Sequence, residues 1–386
     1  MISQLTTGQR ADWRRFRKFA DTALAPRADM CDAEQELPRA IVKDLADEGW
    51  ISSLLPEDWG GSARDTVTYG LLSEEMGRAC STVRNFVAVE DMVSHSIWKW
   101  GTPAQRARWL PAVAAGEAVL AFALTEPGVG SDAKSVTTEA RPDGPDLVLN
   151  GVKEWISFGQ LADAFLVFAQ YEGHHTAFLV DRDSPGIYVE PLRNLLGLRG
   201  SMLARITFDD CRIPSDAMVG RPGSGLAFVA SSALDIGRYS TAWGCVGLAQ
   251  ACLDASTGYA EKRTQYDSVI MEHQLVQRML ADMITGVRAA RLLCWEAGVA
   301  KETRASDAVH QTLVAKYFSS TMANRVASDA VQIHGARGIG GESPVARPFR
   351  DAKVMEIIEG TTQIHQTLLG RWSSRVHHPA DDSVQL

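Results

Sequence analysis

One glutamate in an apolar segment near the carboxyl end has the surroundings that best suit acid–base chemistry. Glu359 lies beside Ile358 and Gly360 in the sequence MEIIEGTTQ. Apolar neighbours disfavour the charged carboxylate and raise its pKa towards neutrality, as a general base requires. Gly360 carries no side chain, so a ligand can approach the backbone closely there. A glutamate beside glycine is also typical of a solvated helix cap, and this segment alone leaves both interpretations open.

Two motifs in the middle of the chain are suited to holding a cofactor. The loop LTEPGVGSD at 124–132 combines glycines with hydroxyls, and its exposed N–H groups could bind a phosphate or a polar ring edge. It is neither a dinucleotide fingerprint nor a P-loop, and a simple Pro-Gly turn is the alternative. In NGVKEWIS at 150–157, Trp155 could stack on a planar cofactor and Ser157 could donate to a ring nitrogen. Core packing of Trp155 is the competing interpretation.

Polar residues of the carboxyl-terminal third form a further candidate group. Arg238 follows Asp235 by three positions on a predicted helix, so the two could form a surface pair. Arg263, with Gln265 and Tyr266, is predicted to close that helix, where an arginine suits either a pyrophosphate or the helix dipole. Gln332 precedes a GARG run at 335–338 that is typical of a helix end and also permits close approach of a phosphate.

Two kinds of periodicity, helical and β, divide the chain into three segments that must position these residues. Residues 1–118 show helical spacing and predict an N-terminal helical domain, residues 119–222 predict a central β domain, and residues 223–371 predict a C-terminal helical bundle. Residues 372–386 are polar and predict a flexible tail. The turn sequences at 142–145 and at Asn150-Gly151 predict hairpins, the second more strongly. This order excludes a doubly wound α/β sheet. The predicted strands are 119–124, 147–150, 164–170, 176–181, 187–192 and 206–208.

Composition narrows the class of protein. The 386 residues are 45% hydrophobic and 22% charged, which fits an ordinary globular protein of two or three domains. A net charge of −8 argues against a nucleic-acid-binding protein. The six cysteines lack CxxC spacing, which favours reduced, buried thiols and gives no support to a metal site. Neither a signal sequence nor a membrane-spanning run is present, so we expect a cytoplasmic protein without a membrane partner.

Taken together and in order, the motifs resemble the acyl-CoA dehydrogenase family of flavoproteins. The resemblance runs from about residue 10 to 371. It rests on LTEPGVGSD, NGVKEWIS, LRGS at 198–201, the segment from Asp235 through Arg263 to Gln274, and RDAKVMEIIEGTTQI at 350–364. It implies a mainly α fold with a central β-barrel-like domain and a C-terminal four-helix bundle. The implied cofactor is FAD, bound between the β domain and the bundle and completed by a second subunit.

By motif position, the resemblance assigns roles to individual residues. Glu359 matches the catalytic base, which would remove the α-proton of a thioester as hydride leaves the β-carbon. The substrate side would include Ser131, Asp235, Arg238 and Gly360. The residues implied for FAD within one subunit are Phe122, Leu124, Thr125, Gly130, Ser131, Trp155, Ile156, Ser157, Thr361 and Gln363. Those implied for the FAD of a neighbouring subunit are Arg263, Gln265, Tyr266, His273, Gln274 and Gln332.

Some positions depart from the family pattern. Tyr266 and Asp267 replace the usual phenylalanine and glycine, Ala336 replaces a glycine near the flavin pyrophosphate, and Ile358 replaces the tyrosine before the base. The segments AWGCVG at 242–247 and MEIIEG at 355–360 are more similar to a subgroup that acts on acyl carrier proteins in polyketide extender-unit (hydroxy- or methoxymalonyl) biosynthesis. Trp243 would either shorten the acyl pocket or pack between bundle helices.

The resemblance therefore implies an oxidoreductase acting on a short acyl thioester, carrier-bound in a natural-product pathway. An ordinary short-chain acyl-CoA dehydrogenase of catabolism is the first alternative. A flavin oxidase or monooxygenase on the same fold is the second, although that branch usually lacks the glutamate at 359. A homodimer or homotetramer is expected, because a shared flavin site leaves one subunit incomplete.

Overall fold

The amino-terminal part of the chain is helical, as its 3.6-residue periodicity predicts. The computed structural model describes residues 4–376, with only the backbone at 375–376. Local signals set several helix starts: Asp65 accepts a hydrogen bond from the Thr68 N–H at 2.8 Å, and Thr102 forms a capping box with Gln105. The helices are α1 (Thr7–Phe19), α2 (Ala25–Glu34), α3 (Arg39–Asp47), α4 (Thr66–Ala79), α5 (Ser81–Trp100) and α6 (Pro103–Ala114).

Helix α5 occupies the centre of the molecule. Nearly all of its residues from Ser81 to Ile97 are buried, because it packs against α4 on one side and the first strand of the sheet on another. A helix that is buried all round presents side chains to several neighbours at once. Within residues 4–376, no helix has an apolar run long enough to cross a membrane.

The middle of the chain forms one mixed sheet of eight strands. They are β1 (Leu120–Ala123), β2 (Glu139–Asp143), β3 (Asp146–Ile156), β4 (Ala164–Tyr171), β5 (His174–Asp181), β6 (Ile187–Pro191), β7 (Ala204–Pro214) and β8 (Met218–Val219). Their order in the sheet is β6-β7-β3-β2-β4-β5-β8. Strand β1 pairs in parallel with β4, and β2 also pairs in parallel with β4. The six predicted strands are present, whereas β2 and β8 were not predicted.

The hairpin predicted at Asn150-Gly151 is wrong. Strand β3 continues through this dipeptide, since it pairs with β2 on one edge and β7 on the other. The register to β7 shifts between Leu149 and Gly151, so the dipeptide forms a bulge instead of a turn. Gly151 has a φ of +146°, and a Cβ there would lie 2.5 Å from the Thr138 hydroxyl. The turn predicted at 142–145 is confirmed as the connection between β2 and β3.

The carboxyl-terminal part is again helical, as its periodicity predicts. A π-helical turn at Gly225–Ala230 leads into α7 (Ser231–Ala260), whose long buried face packs on α4, α5 and α9 (Ala308–His334). Helix α11 extends to Val376, so residues 372–376 are helical where the sequence predicts the start of a polar tail; residues 377–386 lie outside the described residues. The elements are α7 (Ser231–Ala260), β9 (Thr264–Gln265), β10 (Ser268–Val269), α8 (Gln274–Glu302), α9 (Ala308–His334), α10 (Ala346–Met355) and α11 (Thr362–Val376).

Glycines let α4 and α7 approach until their backbones touch. A Cβ at Gly77 would lie 2.5 Å from the Gly244 carbonyl oxygen, and one at Gly247 would overlap the Glu74 carbonyl oxygen. Trp243 is fully buried, with its indole N–H against Gly70 and its ring edge on to Tyr239. Of the two roles considered for Trp243, these contacts support packing between helices.

We predict that Gly247→Ala destabilises the protein, because its methyl group would force α4 and α7 apart. Overpacking of this kind costs about 1–3 kcal/mol of the free energy of unfolding. The matched control is Gly258→Ala on the same helix, where a Cβ meets no atom within 4 Å. It should be neutral or slightly stabilising, since alanine favours the helix. Thermal melting of both variants measures the difference, and equal melting temperatures would contradict the close-approach argument.

Candidate functional site

Glu359 lies in the tight connection between α10 and α11. Its φ is +57° and that of Gly360 is +94°, and the Thr362 N–H donates back to the Glu356 carbonyl at 2.9 Å. A left-handed backbone at a residue with a side chain costs free energy and persists only where the surroundings hold it. The sequence alternative of a solvated cap does not describe this residue, because its Oε2 atom is buried.

Two cations hold this turn through its backbone carbonyls. Arg238 on α7 donates from Nε to the Glu359 carbonyl oxygen at 3.0 Å, and Lys316 on α9 donates from Nζ to the Gly360 carbonyl oxygen at 2.9 Å. Among the described residues, Oε2 of Glu359 has no hydrogen-bond partner. The turn is therefore fixed while the carboxylate keeps a lone pair available.

The electrostatics of the turn favour a weakly acidic carboxyl group. Burial raises the pKa of Glu359 above its ordinary value, and the positive charges of Arg238, Arg84 and Lys316 oppose this rise without cancelling it. Burial also lowers the pKa of Lys316 to about 8. The neighbouring His365 is fully buried, and burial followed by the charges of Lys316 and Arg238 lowers its pKa to about 3, so it is neutral at pH 7.

The carboxylate of Glu359 packs against a glycine of α7. A Cβ at Gly237 would lie 2.5 Å from Oε2 of Glu359 and 2.6 Å from Sδ of Met92 on α5. Absence of a side chain at 237 thus creates the space that the carboxylate occupies. The site is consequently built by four elements: α5, α7, α9 and the α10–α11 connection.

A buried ion pair joins the two middle-chain motifs. Lys153 of NGVKEWIS donates to Glu126 of LTEPGVGSD at 2.8 Å and to the Leu124 carbonyl at 3.0 Å. Glu126 also accepts from the N–H and hydroxyl groups of Thr137 and Thr138. Burial opposes its charge, but these hydrogen bonds outweigh burial and lower the pKa of Glu126 to about 2. The glycine-rich loop is therefore fixed on β3.

The surface beside this ion pair fits the FAD that the resemblance implies. Trp155 has a φ of +63° and is 54% exposed, so core packing does not describe it. A Cβ at Gly128 or Gly130 would meet no atom within 4 Å, which leaves the loop open to a ligand. Aromatic surface, hydroxyls and open backbone suit a planar ring with phosphates.

The other predicted residues of this surface are distributed as follows. The Ile156 side chain is buried in the core of the sheet, so only its backbone can face a ligand. Ser157 accepts a hydrogen bond from Asn85 of α5 at 3.4 Å, which ties the motif to the helical part. Half-buried positions are Phe122, Leu124, Thr125 and Thr361, and exposed positions are Ser131 and Gln363.

A second group of predicted residues lies together at the far end of α7. The prediction that these residues close a helix holds for Arg263, whose N–H donates to the Tyr259 carbonyl at 2.9 Å just beyond the end of α7 at Ala260. It is wrong for Gln265 and Tyr266, because Gln265 belongs to the β9–β10 hairpin. Tyr266 and Asp267 form its two-residue turn, both with positive φ, which explains why glycine suits position 267. His273 contacts the Gln265 carbonyl at 3.2 Å. No hydrogen bond within residues 4–376 joins Arg263, Gln265, Tyr266, His273, Gln274 or Gln332 to the sheet motifs.

The surface pair considered for Asp235 and Arg238 is wrong. Asp235 pairs with Lys301 of α8, while Arg238 turns to the Glu359 carbonyl. The two residues face different neighbours from α7. Each therefore contacts a residue distant in sequence, and the expected i,i+3 contact between them does not form. The structure thus brings Arg238 to Glu359 and places Asp235 on a separate ion pair.

Sequence reasoning missed two buried cations near Glu359. Arg84 is 1% exposed and Lys316 is fully buried. Each carried a detectable signal, because each is a single charge within an apolar helical stretch, TVRNFVAV and TLVAKYF respectively. Arginine and lysine are seldom fully buried without a partner, so such positions identify functional candidates.

Comparison with known proteins places the chain beside acyl-CoA dehydrogenases. Sequence models of the acyl-CoA dehydrogenase N-terminal, middle and C-terminal domains match residues 6–117, 121–211 and 223–374. The human mitochondrial short-chain specific acyl-CoA dehydrogenase is 36% identical over 360 residues, 92% of this chain and 87% of that protein.

Solved structures extend the similarity to the fold. A glutaryl-CoA dehydrogenase from Mycobacterium smegmatis in complex with FADH2 has a TM-score of 0.91 at 30% identity, covering 96% of this chain and 95% of that one. FkbI, described for biosynthesis of the methoxymalonyl extender unit of the FK520 polyketide, has a TM-score of 0.85 at 29% identity, covering 94% and 99%.

The buried ion pair generates a stability prediction. Lys153→Met should lower the melting temperature strongly, because Glu126 then stays buried without its cationic partner, at a cost of about 3–5 kcal/mol. The double variant Lys153→Met/Glu126→Gln removes both charges and should melt above the single variant. Thermal melting of the three proteins gives the order. A double variant that melts below Lys153→Met would show that the buried charge is not the main cost.

Proposed function

Because the chain belongs to the acyl-CoA dehydrogenase family, whose members are FAD-dependent oxidoreductases acting on acyl thioesters, we propose that Glu359 is its catalytic base. The observation that carries the proposal is the buried Oε2 atom without a hydrogen-bond partner. Such an oxygen can accept the α-proton of a thioester. FAD supplies the redox chemistry, which is uptake of a hydride equivalent from the β-carbon to leave an α,β-unsaturated acyl group.

The surroundings of Glu359 support proton abstraction in two ways. A raised pKa makes the carboxylate a stronger base than an exposed glutamate. Arg238 and Lys316 hydrogen-bond to the backbone carbonyl oxygens of the turn. The base is therefore held in position while Oε2 of its carboxylate can still accept a proton. Arg238 and Gly360, adjoining the base, are the proposed substrate-side residues, together with Ser131 and Asp235.

We further propose how the chain holds FAD. Trp155, Ser157 and the backbone of Ile156 would face the ring, and the glycine-rich loop would supply hydroxyls and N–H groups. Thr361, just before α11, and Gln363 in its first turn would close the site. The remote group at the end of α7 would complete the site of a second copy. Support for this sharing is that the group is mostly exposed and has no hydrogen bond to the sheet motifs among the described residues. A homodimer or homotetramer follows.

The proposed substrate is a short acyl group, carried by the phosphopantetheine arm of an acyl carrier protein. Similarity to FkbI supports the carrier, whereas the higher identity to short-chain acyl-CoA dehydrogenase supports a CoA thioester as the alternative. The carrier-bound thioester and the CoA thioester would undergo the same reaction at Glu359, and they differ only in the group that bears the thioester.

Replacing Glu359 by glutamine should abolish turnover while FAD remains bound. A general base contributes about 10²- to 10⁴-fold to rate, so kcat should fall by at least that factor. The matched control is Glu356→Gln, because Glu356 is three residues away and its carboxylate is engaged by Asn324 and Lys353. For each protein, turnover is measured with an artificial electron acceptor, and the flavin content is measured from its absorbance. Full activity in Glu359→Gln with normal flavin content would exclude this residue as the base.

The carrier is tested by offering one short acyl group on both donors. We expect kcat/KM for the acyl carrier protein thioester to exceed that for the CoA thioester by about tenfold or more, since a docked carrier adds binding energy that CoA lacks. Turnover of both is followed with the same electron acceptor. Equal kcat/KM on CoA would remove the carrier while leaving the role of Glu359 intact.

A further inference from the structure

Asn85 near the start of α5 joins that helix to two motifs in the middle of the chain. The residue is 5% exposed. Its amide nitrogen Nδ2 donates to the Ser201 hydroxyl oxygen at 3.2 Å and to the Ser157 hydroxyl oxygen at 3.4 Å. Ser157 is the last residue of NGVKEWIS, and Ser201 is the last residue of LRGS. One buried amide therefore connects both motifs to α5.

The backbone around Ser157 is strained and is held by contacts with these same elements. Trp155 and Phe158 have φ values of +63° and +57°. A left-handed backbone at residues with side chains persists only where the surroundings hold it. The Phe158 N–H donates to the Ser201 carbonyl oxygen at 2.8 Å, and the Phe158 ring packs edge on to Phe86 of α5 at 5.2 Å. The position of Ser157 relative to α5 is therefore fixed.

The hydrogen bonds from Asn85 leave the serine hydroxyl hydrogens unused. An amide nitrogen carries two hydrogens, whereas a serine hydroxyl carries one hydrogen and two lone pairs. The two hydrogens of Nδ2 match the two serine oxygens, so each serine contributes a lone pair to this contact. Ser157 is only half-buried, and its own hydrogen can be donated to a ligand on the open side. Asn85 thus makes Ser157 a hydrogen-bond donor towards that side.

The group that the proposed function places on the open side is the flavin ring. Trp155, two residues before Ser157, is 54% exposed and supplies aromatic surface for a planar ring. Hydrogen bonds to the ring nitrogens are one way in which a protein adjusts the electronic properties of a flavin. A hydrogen bond donated to a ring nitrogen favours the reduced, more electron-rich flavin and so raises its reduction potential. The direction of the Ser157 hydroxyl therefore matters for the redox chemistry.

We infer that Asn85 is a positioning residue that directs the Ser157 hydroxyl hydrogen towards the flavin ring. Asn85 acts through Ser157, and its role requires no contact of its own with the cofactor or the substrate. The inference rests on the proposed FAD site, because it takes Ser157 as a contact of the ring. It does not depend on the role of Glu359.

Replacing Asn85 by leucine removes both hydrogen bonds while keeping the branched shape and the neutral charge of the side chain. FAD should bind about 3- to 10-fold more weakly, the range expected when one oriented hydrogen bond is lost. The midpoint potential of the bound flavin should shift to a more negative value. Flavin fluorescence titration of the apoprotein gives the affinity, and dye-equilibrated reduction gives the potential. Wild-type affinity and potential in Asn85→Leu would overturn the inference.

Replacing Asn85 by aspartate reverses the hydrogen-bonding polarity at nearly the same shape. An ionised carboxylate only accepts, so it draws the Ser157 hydroxyl hydrogen towards α5 and away from the ring. At about pH 8, where a carboxyl group is ionised, the potential should be more negative than in Asn85→Leu. The control is Asn194→Asp, at an exposed asparagine, which should keep the wild-type potential. A wild-type potential in Asn85→Asp would mean that the amide oxygen already accepts from the serines, and would overturn the inference.

A Ser157→Ala background separates a positioning role from a general effect on the fold. There, Asn85→Leu should change neither FAD affinity nor potential further, because the hydroxyl through which Asn85 acts is absent. An equal effect with and without the Ser157 hydroxyl would show that Asn85 acts by another route, which overturns the inference.

The same variants distinguish failure of the inference from failure of the proposed FAD site. If Ser157→Ala changes the affinity and the potential but Asn85→Leu does not, the inference is contradicted and the proposed contact of Ser157 with the ring is upheld. If Ser157→Ala changes neither quantity, that proposed contact is contradicted, and the inference with it.

Discussion

The proposed active site depends on the two hydrogen bonds that hold the backbone of the turn at Glu359. A carboxylate can act as a base only if it is fixed in place and its acceptor oxygen is not already used. Arg238 and Lys316 meet both conditions, because they donate to the carbonyl oxygens of residues 359 and 360 rather than to the carboxylate. They also lie close enough to keep the buried group ionisable. Fixing the backbone thus leaves the side chain available for chemistry.

This arrangement makes demands on the rest of the fold. Arg238 comes from α7 and Lys316 from α9, so the two helices must stay in register with the α10–α11 connection. Glycines at the α4–α7 contact allow the required close packing, and Gly237 provides the space that the carboxylate fills. In the sheet, the Glu126–Lys153 pair fixes the glycine-rich loop to β3. Each part of the site therefore rests on buried polar contacts between distant segments.

The sequence was sufficient to predict the order of helical and β segments, because periodicity reflects burial on one face. It also indicated Glu359 as a candidate base, since its immediate neighbours Ile358 and Gly360 have no polar side chains. The errors arose where partners distant in sequence decide the outcome. Asn150-Gly151 became a bulge because strands flank β3 on both edges, and Asp235 found Lys301 instead of its helical neighbour.

Arg84 shows the same limit in a different way. Its isolation in an apolar helix was visible in the sequence, but its relation to Glu359 depends on the crossing of α5 and α7, which no local pattern specifies. The residues proposed to complete the FAD site of a second subunit likewise depend on an assembly that no local pattern specifies. The candidate residues could therefore be predicted from the sequence, whereas their positions relative to one another could not.

The central claim is that Glu359 carries a buried carboxyl group of raised pKa. Its titration is measured by infrared difference spectroscopy of the FAD-loaded protein from about pH 4 to about pH 8, with Glu359→Gln as the reference that removes its carboxyl band. The account predicts a midpoint above the ordinary value of 4.5. A midpoint at or below that value would contradict it.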